Sequence, residues 1–296
     1  MWSERVSQDQ IDKKVFPRLF AMSEVLWTLN SQKSFLDFYD RVRTHFKILE
    51  FLGIECSPGS KPVKIKPEPE TSIKSFKIII ECKYDFLEVF YTLDGSKPSV
   101  DSKKYTSGFN VDSSCLIRAA AFYKGVMFGE EESKSIIFHK GFGTKIRLLN
   151  SSSEKYPGTG INNLVDGLTG SVNFNDRYWQ GFEGDDLLAI IELDKAIALR
   201  KISINFLQDL HSRIFLPNEV HVEYSLNGVE YFKINIQQHI VSLKKQLPFI
   251  YKFSSNLFNI NARYVKVFAR NISLCPEWHP DARQKAWLFA DEIIIE

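Results

Sequence analysis

The chain has 296 residues and a mass of 34.2 kDa, enough for two or three domains, and its 44% hydrophobic and 14% aromatic content is ample for packed cores. A net charge of +2, with no basic block, argues against nucleic acid or an anionic membrane as partner. No apolar run reaches the roughly 18 residues of a membrane span, and the opening MWSERVSQDQ lacks the apolar stretch of a signal peptide.

Two helices are expected first. Val15, Phe16, Leu19, Phe20, Ser23 and Leu26 recur near a 3.6-residue period. Pro17 is tolerable in a first turn, so this helix is predicted to begin near Phe16. In the second, Ser34 is a plausible N-cap with Asp37 three residues on, and Phe35, Phe38, Val42, Phe46 and Leu49 form one stripe. Gly53 is a natural stop. Two amphipathic helices cannot cover both apolar faces by themselves, and no partner follows in this segment.

WSERV, then VFPRLFAMSEVLWT, then HFKILEFLGI resembles the last strand-and-helix portion of a family-20 glycoside hydrolase barrel, the β-N-acetylhexosaminidases. The resemblance implies that Trp2 walls the pocket for a substrate acetamido group and that Glu4 accepts from sugar hydroxyls. Residues two apart on a strand share a face, which suits that pairing. In this chain the alternative is a frayed terminus that lines no pocket. The resemblance also implies catalysis by an adjacent Asp-Glu pair in a His-x-Gly-Gly-Asp-Glu type motif, with the substrate's own acetamide as nucleophile. The Asp-Glu pair here is Asp291-Glu292, without that motif. A complete barrel needs roughly 250 residues and about 55 resemble it. The chain therefore reads as a C-terminal fragment of an exported enzyme, or as a reading frame begun at an internal Met. It is expected to be inactive without an upstream catalytic barrel.

Pro58, Pro62, Pro67 and Pro69 with Gly59 and Ser60 mark a semi-extended linker over 57–72, after a barrel remnant over 1–56. Strand patterns follow at 76–81, 88–92, 115–122 and 135–138. Asp94-Gly95 after VFYTL is a strong hairpin signal. FYTLDGSKPSVDSKKYTSGF followed by LIRAAAFYKG resembles the chitobiase C-terminal domain, a small immunoglobulin-like sandwich, here over 73–140. That resemblance implies a structural spacer. Cys82 and Cys115 could face each other in such a sandwich, or all four cysteines (with Cys56 and Cys275) could be free thiols; their spacing suits no metal.

Residues 141–296 show alternation at 188–193, 202–206, 219–224, 263–268 and 288–295, with no helical period between. Many short strands of this kind make an antiparallel sandwich or jelly roll. Asp166-Gly167 is a turn dipeptide that bends oxygens into a tight arc, and Ala290-Asp291-Glu292 on the last strand could close it. LVDG, WQGF, FLQD, FLPNEVHVEYSLNG and AWLFADEI, in that order, resemble the discoidin or coagulation-factor type C fold, which includes the family-32 carbohydrate-binding modules. The fold class expected is mainly β: an immunoglobulin-like sandwich plus a discoidin-type jelly roll, preceded by a short α-helical remnant of a (β/α)8 barrel.

The discoidin resemblance implies a cation beside the first long loop. By position, Asp166 and Glu292 give carboxylate oxygens. Asn163, Leu168, Ser171 and Asp291 give mainly backbone oxygens, Ser171 also its hydroxyl. Structural Ca²⁺ suits such a hard oxygen set; Na⁺ or a water-filled loop is the alternative. Sugar would be held by end loops, with Trp179, His211, Arg213, Trp278 and His279 as candidates. Trp179 could equally be core, because WQGF leads into a strand. Trp278, between Pro276 and Pro280, is the best loop aromatic. The expected partners are glycans with terminal N-acetylhexosamine or galactose-type sugars. Two other readings remain: an active hexosaminidase, and a spacer without sugar affinity.

Overall fold

The computed structural model describes residues 11–56, 61–234 and 247–296, leaving out the side chains of 257–259. The chain divides into two compact units. The first comprises Met1–Lys66, Ile79–Gly108 and Ile117–Lys134; the second comprises Pro67–Ile78, Phe109–Leu116 and Ser135–Glu296.

The helices are α1 (Ile11–Val15), α2 (Arg18–Trp27) and α3 (Phe35–Phe51). Pro17 separates α1 from α2: the helix expected from near Phe16 is α2, which starts at Arg18, and α1 is a short additional helix before it. α3 starts where its cap predicts: the Ser34 side chain accepts from the Asp37 amide at 3.4 Å. It ends in a Schellman motif, with Ile54 N–H donating to Leu49 O and Gly53 N–H to Glu50 O, which needs the left-handed φ of +70° at Gly53.

The strands of the middle region are β1 (Val63–Glu70), β2 (Ser75–Cys82), β3 (Glu88–Thr92), β4 (Lys103–Lys104), β5 (Phe109–Val111), β6 (Cys115–Tyr123) and β7 (Val126–Ile136). They form a three-stranded sheet, β1-β2-β5, and a four-stranded one, β4-β3-β6-β7. β1 passes from the first unit into the second after Lys66, and β2 returns from the second into the first after Ile78. Of the linker expected over 57–72, residues 63–70 form β1, while Pro58, Gly59 and Ser60 lie outside the described residues. Pro67 and Pro69 are compatible with a strand because β1 is an edge, where a missing amide donor costs little. β3 and β4 pair antiparallel after the Asp94 turn, where Asp94 accepts the Ser96 amide at 2.9 Å; the connection is longer than a two-residue hairpin. All four cysteines are free.

α3 has a partner that the sequence did not reveal. Phe35 and Tyr39 join Tyr84, Phe86, Tyr123 and Phe128 in one aromatic cluster, with Tyr39 and Phe128 centroids 4.3 Å apart. α2 turns Phe20 and Glu24 to α3, stacking on His45 and pairing with Arg41 at 2.7 Å. Its other side leaves Leu19, Met22, Val25 and Leu26 exposed.

The second unit's main sheet uses β8 (Lys145–Leu148), β9 (Gln180–Glu183), β10 (Leu187–Gln208), β11 (Glu219–Ser225), β12 (Phe232–Ile234), β13 (Phe249–Arg270) and β14 (Trp287–Ile295), in the order β12-β11-β13-β10-β14-β9 with β8 on β10. β10 pairs with β13 along its length, with irregularities after Glu192 and after Leu199. One end of β10 also pairs with β8 and the other with β14. Bending one long strand to serve two sets of neighbours is what lets the sheet wrap into a jelly roll. Alternate residues of β10 (Leu187, Ala189, Ile191, Leu193) fill the main core with Phe182, Val265, Val267 and Leu288. Every residue of β14 is buried.

Candidate functional site: a buried carboxylate loop and an aromatic rim

The last strand carries a β-bulge. Ile204 faces Ile293 and Phe206 faces Ala290, so Asp291 and Glu292 together oppose Asn205. The extra residue switches alternation: Leu288 and Ala290 point into the main core before it, Ile293 and Ile295 after it. Both carboxylates are left to meet the 163–171 loop. Asp291 accepts from the Gly170 amide at 2.9 Å and from Asn205 Nδ2 at 3.3 Å. Glu292 Oε1 accepts from the Gly167 amide at 2.9 Å. Asp166 accepts from the Leu168 amide at 2.9 Å and from the Thr159 hydroxyl. Asn163 accepts the Thr159 amide at 2.7 Å, and its Nδ2 reaches Tyr178 O and Asp291 O, each at 3.2 Å.

This loop is cramped. Gly167 has φ +76°, and a Cβ there would lie 2.6 Å from Ile137 O. Asp166, Asp291 and Glu292 are all buried. Burial first, and then the like charge of Asp166, hold the Glu292 carboxyl well above the ordinary carboxylate range. Its Oε2 is buried with no hydrogen-bond partner.

His139 closes the other side. Its Nδ1 accepts the Gly141 amide at 3.1 Å and the Ile295 amide at 3.2 Å, so the proton sits on Nε2, 2.6 Å from Glu292 Oε1. A second ring proton would face two N–H donors, so the contact is a hydrogen bond from a neutral imidazole rather than an ion pair. Burial pushes the His139 pKa down to about 4, in agreement.

Of the expected cation residues, Asn163, Asp166, Leu168, Asp291 and Glu292 lie in or against the 163–171 loop and its hydrogen bonds to the last strand. Among the described residues no group of three or more His, Cys, Asp or Glu side chains is arranged to hold a metal, which leaves backbone carbonyls to complete any shell. Ser171 is exposed; its hydroxyl accepts the Asn173 amide and its carbonyl accepts Trp179 Nε1–H at 2.8 Å. A carbonyl has two lone pairs, so one remains. The orphaned Glu292 oxygen fits a hard cation.

The sugar candidates separate. Trp179 is buried, in a cluster with Leu207, Ile214, Trp287 and Phe289, so it offers no platform to a sugar. His279 is also buried: Nδ1 accepts the Asp281 amide at 3.0 Å and Nε2 donates to Leu210 O at 2.6 Å. Both ring nitrogens are spent inside the protein, so His279 pins its loop rather than meeting a ligand. Trp278 is 54% exposed, set edge-on over buried Phe215 with centroids 6.2 Å apart. The His279–Leu210 bond ties its loop to the turn that carries exposed His211 and half-exposed Arg213. Arg213 donates to Gln284 Oε1 at 2.9 Å. Trp2 and Glu4 lie outside the described residues. Asn205, Gln284 and His139 were missed because each acts from a distant segment with no local motif, and Thr159, only four residues before Asn163, because no motif marks it.

Bent β10, the β14 bulge and the buried carboxylate loop make the second unit an antiparallel jelly roll, which resembles the discoidin type. Residues 1–30 match the family model described as glycosyl hydrolase family 20, catalytic domain, and residues 78–135 the one described as Fn3 associated. A curated beta-hexosaminidase from Porphyromonas gingivalis is 27% identical over 112 residues, 36% of this chain and 14% of that protein. Among solved structures, a Streptococcus pneumoniae fucose binding module is 17% identical, covering 54% of this chain and 98% of that one, with a TM-score of 0.35. A CBM32 module produced by Clostridium perfringens, solved with GlcNAc-α-1,4-galactose, is 11% identical over 54% of this chain and 94% of its own, also at 0.35. The chain resembles the C-terminal part of a family-20 glycoside hydrolase, and it spans a small part of the length of the curated relative it matches.

Proposed function

We propose that this chain is the non-catalytic C-terminal region of an exported β-N-acetylhexosaminidase, and that its jelly roll binds glycans with terminal N-acetylhexosamine or galactose-type sugars. The carrying observation is Trp278: an exposed indole on a buried aromatic base, on a loop tied to the turn of His211 and Arg213. A sugar ring stacks its C–H face on such an indole, while its hydroxyl rim meets planar donors such as the Arg213 guanidinium and the Gln284 amide. The exposed Leu19, Met22, Val25 and Leu26 side of α2 falls within the stretch that matches the catalytic domain, which supports packing against the rest of a barrel. Trp2 and Glu4 would reach substrate in such a barrel.

Structural calcium belongs to the same reading. Asp166 and Glu292 would hold it, with carbonyls of Asn163, Leu168, Ser171 and Asp291. Its charge would offset the buried carboxylates and fasten the 163–171 loop to β14.

The glycan reading is tested on an array carrying terminal GlcNAc, GalNAc and galactose, with the chain and with Trp278→Ala. Binding that falls at least tenfold in the variant is expected. No glycan binding by the parent chain leaves it a spacer.

A further inference from the structure

We propose that His139, outside the loop and the last strand, is a positioning residue for the calcium site: its Nε2–H holds Glu292 so that the other carboxylate oxygen faces the cation. The inference rests on the calcium reading above.

Glu292 Oε1 is held twice, by His139 Nε2 at 2.6 Å and by the Gly167 amide at 2.9 Å. Oε2 has no partner although the residue is completely buried. A lone carboxylate oxygen in that state is unfavourable unless something positive or protic meets it. With Oε1 occupied, Oε2 is the oxygen left for a cation.

The segment that carries His139 frames the loop. Ile137 N–H donates to Gly167 O at 2.9 Å, and Gly143 N–H to Val165 O at 2.9 Å. Lys140 N–H donates to Ile295 O at 2.8 Å, while His139 Nδ1 takes the Ile295 amide. The imidazole therefore spans from the end of β14 to the ligand carboxylate with both nitrogens committed. Partners that orient a metal ligand from behind typically change metal affinity about 10–100-fold when removed.

The alternative is a histidine that merely fills a buried gap. It would change stability without changing calcium affinity. Calcium titration of the full chain by calorimetry, well below melting, separates the two. His139→Asn keeps an acceptor near the Nδ1 position and removes the Nε2 donor. His139→Gln returns a donor near Nε2. We expect His139→Asn to weaken calcium binding about tenfold or more, and His139→Gln to recover most of it. Wild-type affinity in His139→Asn, with binding abolished in Glu292→Gln, overturns the role of His139 and leaves the calcium reading standing. No calcium binding by the unmodified chain overturns both. Should His139→Asn fail to fold, ¹⁵N-histidine spectra of the unmodified chain decide: the His139 ring must hold the Nε2–H tautomer and shift on calcium addition, and an unmoved signal overturns the proposal.

Discussion

Gly170→Ala isolates the packing behind the 163–171 loop. Gly170 has no left-handed φ, so alanine meets no backbone strain there. The obstacle is steric: a Cβ would lie 2.8 Å from Trp179 Cδ1 and inside the van der Waals envelope of Nε1 and Cε2. Trp179 is fully buried against Leu207, Ile214, Trp287 and Phe289, so the ring has little room to retreat. Overpacking of this kind costs about 1–3 kcal/mol, and displacing Trp179 Nε1 from Ser171 O adds about 1 kcal/mol. The expected loss of about 2–4 kcal/mol is read from the urea midpoint, and lowers the melting temperature on the order of 10 °C for a module of this size. Trp179→Phe removes the pyrrole half of the indole, which is the half in the way. The double variant should therefore lose clearly less than the two single losses combined. Gly170→Ala within about 0.5 kcal/mol of the parent would refute the reasoning.

Chelation should lower the melting temperature by several degrees, since calcium at about 100 times its dissociation constant contributes about 2.7 kcal/mol; Glu292→Gln should abolish that response, and an unchanged melting curve on chelation removes the metal. Tyr39→Ala should cost about 2 kcal/mol in the first unit, because the half-buried ring packs against Phe128; an unaffected urea midpoint would mean that α3 is not held by this cluster. The chain should not hydrolyse a chromogenic N-acetylglucosaminide, because its Asp291-Glu292 pair is buried in the jelly roll and a missing general acid alone is typically worth about 10²–10⁴-fold. Turnover that a substitution in this chain abolishes would count against that.

Local chemistry was readable from residues alone. Ser34 and Gly53 mark the ends of α3 because caps and left-handed stops depend on neighbours a few positions away. Alternation located the core strands because the side-chain period of a strand is fixed at two. Motif order named Asp166, Asp291 and Glu292 as neighbours. Other features depend on pairings across the chain. Two predicted strands, at 188–193 and 202–206, are one bent β10, since only its partners show where a strand turns rather than stops. The exposure of Trp278 and the burial of His279 and Trp179 depend on what each loop packs against, and three aromatic loop residues look alike in sequence. The β14 bulge exists only in the register with β10, yet it is what turns both Asp291 and Glu292 to the loop. His139 lies 153 positions before Glu292, and no local pattern encodes their hydrogen bond. Tertiary structure decided these because side-chain environment at such distances is set by which strands meet, not by which residues are adjacent.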